Sequence, residues 1–596
     1  MSIADILGDL KVLYTAATRK APDGNSAESF GLMIAQNASR WPNETALICE
    51  DESVTWQELN SRANHVASEL RAKGIGAGDC VALFMQNRID FVATLGGIVK
   101  LGAVAGLINT NLTRAPLAHC IKLIESKACI FGEELTEALN EIRDELSLRD
   151  GEDYLYVADE GNTPPPNWAT SLDTHGSSPS NPTETASVRL KDTAFYIFTS
   201  GTTGLPKAAV VSHKRVMPAA MMSATMLQRI DQKDRMYNCL PLYHGTGLII
   251  GMASAFAVGA STVIKRRLSV SAFWDDIRQH NCTSFVYIGE FIRYLLSRPE
   301  HPSDADNPVR TIVGNGLRPD IWQDFKERFA IDRIGEFYAA SEGNGGFANL
   351  FNKDATVGLP IAPCALIAYD VAQDEIVRGS DGLCQRVPEG AAGLLLIEVT
   401  GKSEFEGYTS AEASEKKLLR NVFEQGDVWF NSGDLMKIVD VGFAYGQKHY
   451  QFVDRVGDTF RWKSENVSTN EVGEIVNQHP DIIFTNVYGV TIPGTDGRAG
   501  MAAIVFRDDL GEPDLEAISA HVRDNLPSYA QPIFLRILKE LPTTSTHKLQ
   551  KNDLRDQAFH LDKTGDDLYV MRPRETVYTR LDSDYYDQIM RREVAF

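Results

Sequence analysis

The chain has 596 residues, of which 43% are hydrophobic and 23% are charged, and its formal net charge is −21 at pH 7. This length exceeds what one hydrophobic core usually supports, so the sequence predicts two or more globular domains. The acidic balance argues against general nucleic-acid binding and against simple adsorption to anionic lipid, because both need basic surface. Eight scattered cysteines without Cys-x-x-Cys spacing predict buried free thiols in a reducing compartment rather than a zinc site.

The first third of the chain predicts helices that alternate with strands. Residues 54–73 have apolar side chains at the spacing of an amphipathic helix, and residues 80–85 form the apolar run of a strand. This alternation indicates stacked α/β layers. Residues 161–187 are rich in Pro, Ser, Thr and Asn, and they predict an exposed loop.

Two segments are candidates for a signal peptide or a membrane span, and neither pattern fits. Residues 1–20 lack a sustained apolar region and contain both acidic and basic side chains. Residues 245–264 carry no charge, but four glycines and several small residues make the segment only modestly apolar. We expect a buried helix running into a buried strand there, and a membrane span is the less favoured alternative.

The most informative segment is residues 196–207, where a predicted strand passes abruptly into a polar loop. The candidate phosphate-binding residues of this loop are four hydroxyl residues, two glycines and one lysine. They are Thr199, Ser200, Gly201, Thr202, Thr203, Gly204 and Lys207. Glycines let the backbone approach a ligand, and consecutive N–H groups with hydroxyls and a lysine suit a polyphosphate. The spacing differs from the Walker P-loop. A glycine- and threonine-rich surface turn is the alternative.

Residues 196–213 (YIFTSGTTGLPKAAVVSH) closely resemble the nucleotide-binding signature of the adenylate-forming enzymes. This family includes acyl- and aryl-CoA synthetases, firefly luciferase and the adenylation domains of peptide synthetases. The resemblance implies an α/β fold with a large multi-layer body, made of stacked α/β subdomains and a distorted β-barrel, and a small mobile α+β lid. We place the body at residues 1–456 and the lid at 457–596. It also implies Mg²⁺ as cofactor, and ATP and CoA as co-substrates.

The lid region has its own pattern of predicted elements. Helices are expected near residues 469–478 and 514–525, and strands near 482–490, 500–506 and 532–538. This mixture suits a small α+β domain.

Residues 237–247 and 311–318 match two further segments of the family. The first is predicted as a strand that ends in His244, which by resemblance helps to place the substrate carboxylate; a histidine satisfied in the core is the alternative. In the second, a buried strand precedes Gly314, Asn315 and Gly316, which by resemblance form the adenine-binding loop.

Residues 336–342 are predicted to supply adenine and metal contacts. Tyr338 can stack on the adenine face, and Glu342 can hold Mg²⁺ against the phosphates together with Thr199. Ser341 stands where the family usually has threonine and keeps the hydroxyl. A surface tyrosine and a solvated glutamate are the alternatives.

The last matching segments concern the ribose, the hinge and the catalytic lysine. Asp434 is predicted to follow a tight turn. By resemblance it accepts hydrogen bonds from both ribose hydroxyls, and Arg455 makes a second ribose contact. Gly457 and Asp458 are matched to the interdomain hinge, and Lys548 to the catalytic lysine. Two departures are Ser464 and Ser545, where relatives commonly have glycine. If the backbone there needs positive φ or a close approach of pantetheine, we expect these serines to slow thioester formation.

Residues 454–469 and 314–322 most resemble the fatty-acid transport protein/very-long-chain acyl-CoA synthetase branch. This implies an ATP-dependent ligase that converts a long- or very-long-chain fatty acid, ATP and CoA into acyl-CoA, AMP and pyrophosphate. Alternatives are a CoA ligase for a bile acid, steroid, carnitine or aromatic acid, or a protein that only binds or takes up fatty acids. An amino-acid adenylation module is disfavoured, because residues 243–250 lack the aspartate that would hold a substrate ammonium.

The expected partners are the fatty acid, ATP and CoA, with no nucleic acid. Animal relatives of this branch have a membrane-spanning N-terminus and this sequence predicts none, so we expect a cytoplasmic enzyme. Peripheral attachment to the inner face of the membrane and a homodimer are left open. The basic run at residues 265–267 is expected to be a solvated strand end, with contact to CoA phosphates or lipid as the alternative.

Overall fold

The computed structural model describes most of the chain. The described residues are 3–18, 23–178, 180–199, 205–371, 375–462, 465–495, 497–507, 513–540, 551–594 and 596. The predicted phosphate-loop positions 200–204, the departures Ser464 and Ser545 and the predicted catalytic Lys548 therefore lie outside the described residues.

Sixteen α-helices occur in the described residues. They are α1 (Ile3–Thr18), α2 (Phe30–Arg40), α3 (Trp56–Ala72), α4 (Ile89–Lys100), α5 (Arg114–Leu123), α6 (Thr136–Asn140), α7 (His213–Met222), α8 (Ser254–Ala257), α9 (Phe273–Gln279), α10 (Gly289–Leu296), α11 (Pro319–Phe329), α12 (Ala411–Glu415), α13 (Thr469–Asn477), α14 (Leu515–Asn525), α15 (Asn552–Gln557) and α16 (Ser583–Met590). Short 3₁₀ turns occur at Glu133–Leu135, Arg143–Glu145 and Thr183–Ala186, and π-helical segments at Ser223–Gln228 and Thr246–Ala253.

Thirty strands complete the described elements. Those before residue 340 are β1 (Thr45–Cys49), β2 (Glu52–Thr55), β3 (Cys80–Phe84), β4 (Val104–Leu107), β5 (Ala128–Gly132), β6 (Tyr154–Val157), β7 (Thr170–Ser171), β8 (Thr193–Thr199), β9 (Lys207–Ser212), β10 (Arg235–Asn238), β11 (Ser261–Ile264), β12 (Ser284–Ile288), β13 (Thr311–Asn315) and β14 (Arg333–Ala339). The later ones are β15 (Gly346–Ala348), β16 (Leu359–Pro360), β17 (Cys364–Ile367), β18 (Tyr369–Asp370), β19 (Glu375–Ile376), β20 (Gly393–Glu398), β21 (Leu418–Arg420), β22 (Val428–Val439), β23 (His449–Arg455), β24 (Phe460–Trp462), β25 (Glu465–Val467), β26 (Ile482–Val490), β27 (Ala499–Phe506), β28 (Phe534–Leu538), β29 (Asp567–Val570) and β30 (Thr579–Arg580).

Two large sheets organise the body. One joins seven strands in the order β7-β6-β5-β3-β4-β8-β9, and the other joins nine in the order β16-β15-β14-β13-β12-β10-β11-β1-β2. The first is parallel except for the β8–β9 hairpin, and the second is parallel from β14 through β1. Their strands are near-continuous apolar runs, as expected when helices cover both faces of a parallel sheet.

The helix predicted at residues 54–73 is confirmed as α3 and shows how the body core forms. Thr55 and Glu58 form a reciprocal capping box that fixes where the helix begins. Leu59, Val66 and Leu70 follow at helical spacing and are fully buried. They join the core cluster between the two large sheets, so the amphipathic pattern of this segment is what binds the two layers together.

The segment at residues 245–264 is buried, as the sequence predicted. It forms the π-helix Thr246–Ala253 and α8, and then enters the fully buried strand β11. Among the residues that the structure describes, no helix is both long enough and apolar enough to cross a membrane. The eight cysteines are unpaired, and all are buried except the half-buried Cys364.

A smaller antiparallel sheet follows the two large ones. It has the order β17-β20-β22-β21. Strand β21 pairs with the N-terminal end of β22, and β23 pairs with residues 434–439 at its C-terminal end. Register shifts in β22 interrupt its pairing with β20 and with β23. This sheet occupies the place of the predicted distorted barrel.

The C-terminal part has its own sheet, in the order β26-β27-β28-β29-β30, and its own core from Phe460 to Ile589. Its elements lie within two or three residues of the predicted bounds. The predicted domain boundary between residues 456 and 457 falls in the turn between β23 and β24, and it stays a prediction.

Candidate active site

The strands on either side of the predicted phosphate loop form a hairpin pair. Strands β8 and β9 are antiparallel, and their last paired positions are Thr199 and Lys207. Backbone register therefore brings together the two ends of the loop, and it places a hydroxyl and an ammonium group across from each other. The glycine-containing loop that joins them was predicted from sequence to bind polyphosphate.

Tyr408 joins this site and was missed by the sequence analysis. Its segment pairs with β9 through hydrogen bonds from Val210 N–H to the Gly407 carbonyl and from Thr409 N–H to the Ala208 carbonyl, both 2.9 Å. The Nζ of Lys207 lies 5.6 Å from the centre of the Tyr408 ring. Burial, and then the neighbouring Glu342 carboxylate, raise the pKa of Tyr408. Only the tertiary pairing of distant segments reveals this residue.

The donor set around Glu342 fits a magnesium ion. The Glu342 carboxylate is largely buried, and the buried Thr199 hydroxyl lies close to the Tyr408 hydroxyl without a well-formed hydrogen bond. That oxygen keeps lone pairs for a further ligand. In the described ranges, no group of three or more His, Cys, Asp or Glu side chains is arranged so that it could hold a metal ion. One carboxylate and one hydroxyl suit Mg²⁺, which usually takes its remaining ligands from water and substrate phosphates.

Arg215 fixes the backbone just before Glu342. It lies on α7 and donates from Nη1 to the carbonyl of Ser341 at 2.7 Å and from Nη2 to that of Ala340 at 3.2 Å. Burial lowers the pKa of Arg215 from its ordinary value. The helix after the hairpin thus positions the predicted metal ligand, and Ser341 contributes to the site through its backbone.

The predicted adenine loop rests on a buried carboxylate. Strand β13 ends at Asn315, and the backbone N–H groups of Gly316 and Leu317 donate to Glu336 at 2.5 and 3.2 Å. The Tyr287 hydroxyl donates to the other oxygen of Glu336. Burial raises the pKa of Glu336 to about 8, although these hydrogen bonds oppose the rise.

A glycine is required at the turn of this loop. Gly316 has φ +84°, in the region that favours glycine. The loop was predicted to begin at Gly314, and this is wrong: β13 continues through Gly314 to Asn315, so only Gly316 of the three follows the strand. The side chain of Asn315 accepts a hydrogen bond from the Thr246 hydroxyl at 3.1 Å, which ties the loop to the π-helix.

Three predicted nucleotide-binding residues come together at the start of the small sheet. The Tyr338 hydroxyl donates to Asp434, and Nε of Arg455 lies 3.6 Å from Oδ1 of Asp434. Asp434 and Arg455 are directly paired on β22 and β23. Burial raises the pKa of Asp434, and the charge of Arg455 opposes that rise. A tyrosine, a carboxylate and a guanidinium thus form one polar cluster.

The prediction of a tight turn before Asp434 is wrong. Strand β22 runs from Val428 to Val439, and the irregularity is a bulge within it. Gly433 takes φ +76° there, and the Ser432 hydroxyl accepts a hydrogen bond from Asp434 N–H. A glycine with positive φ kinks the strand without ending it.

The prediction that strand β10 ends in His244 is also wrong. Strand β10 ends at Asn238, whose side chain binds the backbone of Leu240 and Gly247, and Pro241 has no N–H for a ladder. His244 lies in the following turn with its ring 4.6 Å from that of Tyr243. It directly precedes the π-helix that contacts the adenine loop.

The predicted hinge is held by charged groups of the lid. Gly457 has φ +89° with open space where a Cβ would lie. Asp458 pairs with Lys551 at 3.3 Å and with Arg555 at 2.9 Å. Burial raises the pKa of Asp458, but these two charges outweigh it and the net direction is down. Sequence analysis missed both partners, because they follow the hinge by about a hundred residues.

Those ion pairs lie within the predicted lid, whereas a different contact crosses its predicted boundary. Asp454, at the end of β23, accepts a hydrogen bond from Thr469 N–H at 2.7 Å at the start of α13. The hydroxyls of Thr469 and Thr459 also donate to it. This carboxylate therefore holds the N-terminus of a lid helix against a strand of the body.

The basic run at residues 265–267 is largely neutralised. Lys265 lies 2.9 Å from Glu50 and 3.5 Å from Asp276, and Arg266 pairs with Asp159. These acidic partners favour the expected structural role over a contact with CoA phosphates.

Comparison with known proteins adds a family and a fold. Residues 34–408 match the family described as AMP-binding enzyme, and residues 471–548 match its C-terminal domain. The medium/long-chain-fatty-acid–CoA ligase FadD6 of Mycobacterium tuberculosis is 40% identical over 585 residues, covering 98% of this chain and 95% of that protein. Long-chain fatty acid transport protein 2 of Rattus norvegicus is 39% identical, covering 94% of this chain and 90% of that protein.

Solved structures share the fold at low sequence identity. The anthranilate CoA ligase AuaEII in complex with anthranoyl-AMP superposes with a TM-score of 0.76 at 22% identity, covering 91% of this chain and 98% of that one. A Mycobacterium tuberculosis fatty acyl CoA synthetase gives a TM-score of 0.60 at 21% identity, with 90% and 99% covered. These likenesses confirm the predicted fold class.

Proposed function

We propose that this chain, which belongs to the family of AMP-binding enzymes, activates a long- or very-long-chain fatty acid as acyl-AMP and transfers it to CoA. The family predicted from residues 196–213 is thereby confirmed. One observation carries the proposal: the cluster of Tyr338, Asp434 and Arg455 lies beside Glu342 and Tyr408, which adjoin both ends of the phosphate-loop hairpin. A ribose site next to a phosphate and metal site is what adenylation requires.

In the first half-reaction, a carboxylate oxygen of the fatty acid attacks the α-phosphorus of ATP, and pyrophosphate leaves. Lys207 and the loop of residues 200–204 would hold the phosphates, and Glu342 and Thr199 would hold Mg²⁺. That ion supplies Lewis-acid stabilisation of charge on the phosphate oxygens. Lys548 would add a positive charge from the lid. Preorganised groups of this kind are usually the largest catalytic contribution.

In the second half-reaction, the CoA thiolate attacks the acyl carbonyl and AMP leaves as the carboxyl–phosphate bond breaks. Two different nucleophiles must reach one acyl centre in turn, so the lid at residues 457–596 would rotate relative to the body between the steps. Gly457 and Asp458 would form the pivot, and His244 would place the acyl carboxylate.

The fatty-acid substrate is supported by relatives at about 40% identity over nearly the whole chain, whose names concern medium- and long-chain fatty acids. The transport-protein names support a second candidate, in which the chain binds or takes up fatty acids without chemistry. A ligase for another carboxylic acid is the third.

The deciding experiment is CoA-dependent formation of AMP and pyrophosphate with acids of increasing chain length. We expect AMP and acyl-CoA in equal amounts, with the highest kcat/KM for long aliphatic acids. A preference for benzoate or a bile acid would overturn the substrate assignment. Fatty-acid binding without any AMP would favour the uptake protein instead.

A further inference from the structure

One lysine in the active-site cluster has no role in the mechanism above. Lys417 lies between α12 and β21, and its Nζ is 3.7 Å from Oε1 of Glu342. Its charge also acts on Asp434, where it opposes the effect of burial on the pKa. We infer that Lys417 is a phosphate-binding residue of the nucleotide site, an inference that rests on the proposed function.

The backbone fixes where this lysine points. The carbonyl of Lys417 accepts a hydrogen bond from Asn431 N–H at 2.8 Å, and the next residue, Leu418, pairs with Phe430. The ammonium group lies 5.9 Å from the centre of the Phe430 ring. The start of β21 is thus anchored to the strand that carries Asp434, and the side chain extends along that strand toward the site.

The surroundings of the ammonium group suit an anion. Glu342 is assigned to the metal and Asp434 to the ribose, so the space between them is where the nucleotide phosphates would pass. The Lys417 side chain is 31% exposed, so solvent reaches part of it although its Nζ lies 3.7 Å from the largely buried Glu342 carboxylate. With the Glu342 carboxylate bound to Mg²⁺, Lys417 would no longer be paired with it. Its positive charge would then be available to the nucleotide phosphates.

The neighbouring lysine has a different environment. Lys416 is 70% exposed and pairs with Glu412, one turn earlier on α12, at 2.7 Å. It shares the local backbone and charge of Lys417 but faces solvent. Lys416→Ala is therefore a matched control for Lys417→Ala.

A simpler role for Lys417 is to neutralise Glu342 only until the metal binds. That role predicts the opposite result for metal binding. If Lys417 merely competes with Mg²⁺ for Glu342, its removal lowers the Mg²⁺ concentration needed for half-maximal ATP binding. If it binds phosphate, its removal weakens ATP binding at saturating Mg²⁺.

The test is equilibrium binding of adenosine, AMP and ATP to wild type, Lys417→Ala and Lys416→Ala by calorimetry at saturating Mg²⁺, together with a Mg²⁺ titration of ATP binding and the melting temperature of each protein. One charge-assisted hydrogen bond is lost, so we expect ATP affinity to fall about tenfold in Lys417→Ala. Adenosine affinity should stay within about twofold, and Lys416→Ala should match wild type. Lys417→Arg should recover most of the loss, because the charge is retained.

Two kinds of result would overturn the inference. Unchanged ATP affinity, or a lower Mg²⁺ requirement, would show that Lys417 only balances Glu342. An equal loss for adenosine and ATP, or a lowered melting temperature, would show a structural role. Wild-type protein that binds no ATP would instead refute the proposed function itself, so the two failures are distinguishable.

Discussion

The proposed nucleotide cleft and the predicted hinge are built by different means. In the cleft, strand register sets the key neighbours: Thr199 pairs with Lys207, and Asp434 pairs with Arg455. At the hinge, Asp458 is held by the side chains of Lys551 and Arg555. Register cannot change without unfolding a sheet, whereas ion pairs can exchange partners. We therefore propose a preformed site for adenylation and, at the predicted hinge, side-chain contacts that can rearrange.

The interface between the predicted lid and body also contains contacts that can rearrange. Its apolar contact in the described residues includes the ring pair of Tyr294 and Phe484, 4.9 Å apart. Beside it, Glu474 of the lid lies near Asp320 of the body, and burial and this like charge raise the pKa of Glu474 to about 7. Asp320 also pairs with Arg293 at 3.0 Å, so this contact is polar and charged, and such an interface between domains opens more easily than a continuous apolar core.

The largest effect is expected from Lys548→Ala. If this lid lysine stabilises charge on the phosphates, adenylate formation should fall on the order of a hundred- to a thousandfold. Thioester formation from supplied acyl-AMP should be nearly unchanged, because that step has no pyrophosphate to release. Separate assays of the two half-reactions measure this, with the exposed Lys563→Ala as control. Equal loss in both steps would contradict the assignment.

Asp434→Asn is expected to weaken the preformed cleft. The carboxylate is proposed to accept the ribose hydroxyls, so its loss should lower adenosine affinity about tenfold. This differs from Lys417→Ala, which should affect ATP but not adenosine. Calorimetry on both variants separates ribose from phosphate recognition. Asp440→Asn, on an exposed turn of the same sheet, is the control, and unchanged adenosine binding by Asp434→Asn would refute the ribose role.

Gly457→Ala tests the hinge directly. An alanine at φ +89° is strained, although no atom lies within 4 Å of the added Cβ. We expect overall acyl-CoA formation to slow several-fold while adenylation alone is unchanged. Gly442→Ala introduces similar strain at φ +70° in the open turn between β22 and β23, and should leave both rates unaltered. A matching effect in both variants would mean that Gly457 has no special role.

The last prediction concerns Glu336 and is a dependence of stability, not of activity, on pH. Its pKa is raised from 4.5 to about 8 on folding, so its contribution is fully present below about pH 4.5 and is lost as pH rises through about 8. The free energy of unfolding of wild type should fall relative to Glu336→Gln by up to about 1.4 kcal/mol per pH unit in that window. Denaturant titrations at several pH values test this, with the exposed Glu327→Gln as control. Parallel curves would contradict it.

The sequence predicted most of what depends on local pattern. The lid strand expected at 482–490 matches β26, and the helix expected near 469–478 matches α13. The motif residues Tyr338, Asp434 and Arg455 meet in space, although they are up to about 120 residues apart in the chain.

The rest depended on tertiary contacts that no local pattern contains. Tyr408 enters the site through pairing with β9, Glu336 supports the adenine loop from a neighbouring strand, and Lys417 is oriented by Asn431. The end of β10 was mispredicted because the apolar run continues past Asn238, while Pro241 and the Asn238 side chain end the ladder earlier.

The most direct test is exchange of labelled pyrophosphate into ATP with a fatty acid present and CoA absent. A cleft that is preformed for adenylation should support acid-dependent exchange before any thiol is added, and CoA should then divert the adenylate to acyl-CoA with release of AMP. Exchange that is absent with every acid, or that appears only after CoA is supplied, would contradict this account.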